Sequence, residues 1–137
     1  MLAALVAAGV AAQSKPQFYK GLEVTVTGVE RVTNLSLDSC PSGANSVRGV
    51  IRPGDPQEFA AVKVDFKVGA DFKKGTVLPK PTLTDNDGKV LNTGQSFGEI
   101  GDNKAFSCTF AFRITKGTKV KKFAIDTTSI DLGTMGQ

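Results

Sequence analysis

The sequence predicts an all-β protein: an antiparallel β-sandwich of about seven strands, preceded by a short apolar N-terminal segment. Three observations carry that expectation. Apolar residues recur with period two from Gly21 onward, the mark of strands with one buried and one wet face. Gly, Pro, Asn and Asp punctuate those runs at short intervals, and no stretch beyond Ser14 has a convincing helical period. With 137 residues, 40% of them hydrophobic, the chain suffices for one domain with a sizeable core.

The opening run, "MLAALVAAGVAAQSKP", has no charge before Lys15. As a helix its apolar part would reach only ~20 Å, against a hydrocarbon core of ~30 Å, too short for a simple span. Val10-Ala11-Ala12 offers the small residues that signal peptidase needs, with Gln13 as the new N-terminus, but no positive residue precedes the run. Residues 1–14 are therefore either an export signal or a retained apolar anchor. In the second case Leu2, Leu5, Val6 and Val10 would contact a membrane interface or a partner. Both readings put the domain formed by residues 15–137 outside the cytoplasm, in the periplasm or cell envelope.

The strands follow in order. "LEVTVTGVERV" alternates Leu22, Val24 and Val26 with polar residues and then slips at Gly28, which predicts a bulge. The region from Thr33 to Glu58 is turn-rich and reads as a long loop with a short strand near Val47 to Ile51. "FAAVKVDFKV" turns Ala60, Val62, Val64, Phe66 and Val68 inward, with Ala61, Lys63, Asp65 and Lys67 on a wet face. Pro79 and Pro81 make the approach to "TLTD" irregular. "TLTDNDGKVLN" reads as a hairpin about Asp85-Asn86-Asp87-Gly88. "KAFSCTFAFRI" directs Phe106, Cys108, Phe110, Phe112 and Ile114 inward, and "KVKKFAID" directs Val120, Phe123 and Ile125 inward, with a second bulge between Val120 and Phe123. The closing "GTMGQ" reads as frayed.

Taken together, "LEVTVTGVERV", "EFAAVKVDFKV", "TLTDNDGKVL" and "FSCTFAFRITKGTKVKKFAID" resemble the telokin-like, immunoglobulin-type domain of bacterial cell-envelope proteins. The likeness spans most of residues 21–128. It departs from that family in the Pro-rich stretch before Thr82 and in lacking a lipobox Cys after the apolar run. The resemblance implies an immunoglobulin-like sandwich with an extracytoplasmic binding or accessory role and no catalytic mechanism.

Two cysteines suit an oxidising compartment. Cys40 falls in the loop "LDSCPSGANS" and Cys108 on an apolar strand face, so a Cys40–Cys108 disulfide is expected; the alternative is a buried Cys108 with Cys40 free. A loop of about 70 residues closed in this way gains at most ~4 kcal/mol by chain entropy.

Composition narrows function. The chain has no His, which removes the usual general base near neutral pH and the commonest transition-metal ligand. No cofactor is implied. The net charge of +4 favours anionic surfaces, whether lipid, acidic protein or polysaccharide, and serves solubility equally well. The aromatics sit at buried spacing, which argues against nucleic acid. Lys116, Lys119, Lys121 and Lys122 either form an anion-binding patch or shield an exposed edge strand. "IRPGDPQEF", with Arg52, Asp55, Glu58 and Phe59, is stiffened by two prolines and is either a partner-contact loop or a rigid connection. Asp85 and Asp87 read as turn residues, with a weak metal site as the alternative. The expected function is a non-enzymatic accessory subunit docking on an envelope or membrane-protein partner. The alternative is a soluble periplasmic module for an anionic or carbohydrate ligand.

Overall fold

The computed structural model describes residues 13–38, 40, 41 and 46–137. It shows ten strands: β1 (Gln17–Tyr19), β2 (Leu22–Val32), β3 (Asn34–Asp38), β4 (Ser46–Val50), β5 (Gln57–Val68), β6 (Thr82–Asp85), β7 (Val90–Asn92), β8 (Ala105–Thr115), β9 (Val120–Ile125) and β10 (Thr128–Asp131), closed by a 3-10 turn at Gly133–Gly136. Two four-stranded antiparallel sheets, ordered β1-β2-β5-β8 and β10-β9-β6-β7, make the sandwich, and β3 and β4 form a separate hairpin. The sandwich expected from the alternating pattern is present, with the three additional strands being short ones.

The inner faces are those the period-two pattern selects. Leu22, Val24 and Val26 from β2, Val62, Val64 and Phe66 from β5, and Phe110 and Phe112 from β8 meet Leu83, Phe123, Ile125 and Ile130 of the second sheet, all buried. Phe123 joins the layers, its ring 5.9 Å from Phe110 and 6.5 Å from Phe112. Each such phenylalanine contributes roughly 1.5–3 kcal/mol by leaving water. Both predicted bulges occur. Register shifts between Val26 and Gly28 opposite β5, and between Thr84 and Asp85 opposite Val120 and Lys122 of β9. The first shift reverses the facing of β2, so that Val29 and Arg31 lie opposite Val62 and Ala60 on the inward side.

Cys40 and Cys108 are bonded, with Cα atoms 5.5 Å apart. Cys108 belongs to β8, an edge of its sheet, and Cys40 also forms a parallel bridge with Phe97. Leu35 and Leu37 of β3 pack on Phe59, Ala111 and Ile51, a second small apolar cluster. The hairpin therefore straddles the β8 edge, one side on the outer face of the sheet and its Cys40 in the main core.

Four expectations are corrected here. The region from Thr33 to Glu58 is mostly a hairpin, because Leu35 and Leu37 alternate with polar neighbours and have an apolar patch to cover. The face of β5 bearing Ala61 is dry at one end, where that residue is only 6% exposed. The C-terminus is tied down: Met135 packs on the core and Gly136 O accepts from Arg31 Nη2 at 3.1 Å. The domain includes Ser14, which is buried, donates its N–H to Val26 O and accepts from Val26 N through Oγ, both at 2.8 Å. Leu2, Leu5, Val6 and Val10 lie outside the described residues.

Candidate interaction site

β5 starts at one end of the sandwich, where β2 and β8 finish. Three turns meet there, each built on a glycine with positive φ, a conformation that costs other residues about 1 kcal/mol or more. "RPGD" joins β4 to β5, with Gly54 at φ 86° and Asp55 N donating to Arg52 O at 3.0 Å. "DNDGK" joins β6 to β7, with Gly88 at φ 84° and its N–H on Asp85 O at 3.1 Å. "TKGT" joins β8 to β9, with Gly117 at φ 80° and Thr118 N donating to Thr115 O at 3.1 Å.

These turns are fastened to one another. Lys116 N donates to Pro56 O at 2.8 Å, Asn86 N to Lys119 O at 3.1 Å, and Gly117 N to Glu58 Oε2 at 3.1 Å. Glu58 also holds Arg31 Nη1 at 3.3 Å, and that guanidinium reaches the C-terminal turn. Arg31 sits on the inward side of β2 at the end of the layers, half-buried, so an ionised partner is needed to offset its desolvation. Asp55 Oδ1 accepts from Gln57 N at 2.9 Å, while its other oxygen lies 3.5 Å from Arg113 Nη2.

The charges at this end are unequally engaged. Asp55 and Glu58 are matched by Arg113 and Arg31. Asp85 is buried, and its Oδ1 accepts from the N–H groups of Asp87 and Lys89, both at 2.9 Å. That geometry assigns the carboxylate to closing the turn, and among the described residues no three His, Cys, Asp or Glu side chains converge. Asp131 caps Gly133 N at 3.0 Å and lies opposite Lys122 in the β9–β10 register. Arg52, Lys89, Lys116, Lys119 and Lys121 are exposed and form no ion pair among the described residues, with exposed Asp87 as the nearby counter-charge. The result is a rigid basic end.

Comparison with known proteins bears on the fold. No family model matches the chain. No curated protein matches it either. Among solved structures, an uncharacterized beta-sandwich protein from Clostridium difficile 630 superposes with a TM-score of 0.50 over 88% of this chain and 90% of that one, at 11% identity. The shared feature is the β-sandwich. At that identity the likeness speaks of architecture alone.

The structure thus brings together residues that the sequence presented as separate candidates: the Arg52 loop, the Asp85–Asp87 turn and the lysine run all border one end. It also corrects two of their roles. Phe59 is 9% exposed, its ring so close to Gly49 that a Cβ there would fall 2.4 Å from Phe59 Cζ, and Glu58 is bound within the chain, so neither offers surface to a partner. The edge-shielding reading of the lysines also falls, because β9 is paired on both sides, with β10 and with β6. Sequence reasoning passed over Lys89. Its position directly after "DNDG" was the only available signal.

The opposite end is different in kind. Residues 69–78, between β5 and β6, border a cleft of about 470 Å³ floored by Phe72, Leu78, Phe97 and Ile100. A second cleft, of about 540 Å³, shares Thr76 and Val77 with it and is lined by Lys20, Asp71 and Lys73. Lys74 and Asp102 pair across the first cleft. The hydrogen bond and charge of Lys74 hold the Asp102 carboxyl below its ordinary range, and Asp102 raises Lys74 in return. Both groups are open to water, where such a pair contributes little to stability.

The disulfide is compatible with an extracytoplasmic location. No helix among the described residues is long and apolar enough to cross a membrane.

Proposed function

We propose that this chain is a non-enzymatic accessory protein of the cell envelope that docks its basic end onto an anionic envelope partner. The observation behind this reading is the basic end itself: three turns locked by hydrogen bonds, carrying cations that form no ion pair among the described residues. Preorganised turns lose little conformational entropy on docking, and unpaired cations attract a partner over roughly a Debye length of ~8 Å. The telokin-like, immunoglobulin-type assignment belongs to the same proposal. Its support is that the four resembling segments coincide with β2, β5, the β6–β7 hairpin and the β8–β9 pair.

A second reading draws on the clefts of the opposite end. Lys20 and Lys73 beside Val77 would suit a soluble module that takes a small anionic or carbohydrate ligand.

Fractionation of native cells separates the two. The full chain is expected to stay with washed envelopes at low salt and to leave them at about 0.5 M salt. Replacing Arg52, Lys116 and Lys119 together by Gln should release it at low salt, whereas replacing Lys20, Lys73 and Lys80 should not. Retention unaffected by the first triple variant would favour the ligand module.

A further inference from the structure

We infer that the folded chain carries a processing site at Lys73-Lys74-Gly75, cut by a lysine-selective endoprotease, and that the product remains one molecule, two chains joined by Cys40–Cys108. The step is a hydrolysis. Water adds across the Lys73–Lys74 or Lys74–Gly75 amide, leaving a new carboxylate on one side and a new amine on the other.

All 17 Lys and Arg residues lie among the described residues, so the site follows by elimination. Seven of them lie within β2, β4, β5, β8 and β9, where ladder pairing holds the backbone out of a protease's reach. Lys15, Arg52 and Lys80 each precede a proline, whose fixed φ and missing N–H resist the extended binding that cleavage needs. Lys20 precedes Gly21, whose backbone sits against Phe72. Lys89, Lys116 and Lys119 belong to the hydrogen-bonded turns of the basic end. Lys104 adjoins β8, and its carbonyl accepts from Val68 N at 2.8 Å.

Lys73 and Lys74 remain. They stand in residues 69–81, which form no strand, and both are exposed, as is Gly75. Gly75 has φ 84°, and a Cβ there would meet nothing within 4 Å beyond its chain neighbours, so the tip stands clear of the body. Little holds that tip. Thr76 N and Thr76 Oγ1 both donate to Lys73 O, at 3.2 and 2.6 Å, and Lys74 pairs with Asp102 in open water. Opening it locally costs a small part of the global stability, and cleavage follows the population of the opened form.

The rest of the fold decides what the product is. Residues 1–74 carry β1 to β5, and residues 75–137 carry β6 to β10. β5 of the first piece pairs with the whole of β8 in the second, both pieces contribute to the main core, and Cys40 of one is bonded to Cys108 of the other. The loop borders both large clefts, so the cut turns a fixed wall into two free ends while the turns of the basic end keep their bonds.

Trypsin added to the full, unreduced chain tests this, with intact mass as the readout. The first product is expected to weigh one water more than the chain and to melt cooperatively. Only reduction should part it, into pieces that meet at Lys73–Lys74 or Lys74–Gly75. Replacing Lys73 and Lys74 by Gln should slow the first cut at least about tenfold, while the same change at Lys116 and Lys119 should alter it less than about twofold. Equal thermal midpoints would show that both variants fold. A first cut at Arg48, Lys104 or Lys116, pieces that part without reductant, or a chain cut only once globally unfolded overturns the inference.

Discussion

Gly21 shows how much a single position can decide. It forms the β1–β2 turn with Lys20, at φ 86°, and a Cβ there would lie 2.4 Å from Phe72 N. Gly21 O also accepts from Gly69 N at 2.8 Å, so the turn seats the loop that borders the clefts. Gly21→Ala is expected to cost more than about 2 kcal/mol, adding backbone strain to a steric clash with main chain that cannot swing aside. Chemical denaturation would read this as a lower midpoint at unchanged slope. The close approach of Phe72, 51 positions away, was not legible in the sequence. Glu58 teaches the same lesson. Its sequence neighbours suggested a contact loop, while its actual partners, Arg31 and Gly117, are distant in sequence. Local pattern reports which face a residue takes, and long-range pairing decides what it meets there.

Strands that carry the main core were legible because β2, β5 and β8 alternate over five or more residues with large apolar groups, and β9 places Val120, Phe123 and Ile125 inward on either side of its bulge. β3 was not. Its apolar residues, Leu35 and Leu37, cover the outer face of a sheet whose pattern reads as wet, so the patch they bury is visible only after β5 and β8 are paired. Ser14 and the C-terminal turn were missed for a similar reason, being fixed by partners that only the fold brings near: Val26 for Ser14, and the Arg31 guanidinium for Gly136 O. The hairpin of β3 and β4 depends on the Cys40–Cys108 bond, which ties it to the β8 edge. Cys40→Ser with Cys108→Ser should lower stability by up to ~4 kcal/mol, and amide exchange should rise first in β3 and β4. Intact mass after alkylation of the unreduced native chain checks the bond; two reactive thiols would refute it.

Across the whole molecule, the distribution of charge says more than its sum. A net charge of +4 in 137 residues is unremarkable, and sequence alone could not say whether it was spread or gathered. Folding gathers it. Turns that lie far apart in the chain meet at one end, where Glu58, Asp55 and Asp85 are occupied by Arg31, Arg113 or backbone N–H groups and exposed Asp87 is the remaining counter-charge. The other end holds a more even mixture of Lys20, Lys73 and Lys74 with Asp71, Glu99 and Asp102 around its clefts. A sandwich with two such dissimilar ends has a built-in direction, which an envelope-docked protein would use to present one end and expose the other.

Site-specific photocrosslinking in native cells would test that polarity most directly. A photoreactive residue at Thr118, in the β8–β9 turn, should crosslink to an envelope component, and the same residue at Gly75, on the rim of the opposite clefts, should not. Crosslinks from Gly75 with none from Thr118 would contradict docking through the basic end and move the site of action to the clefts.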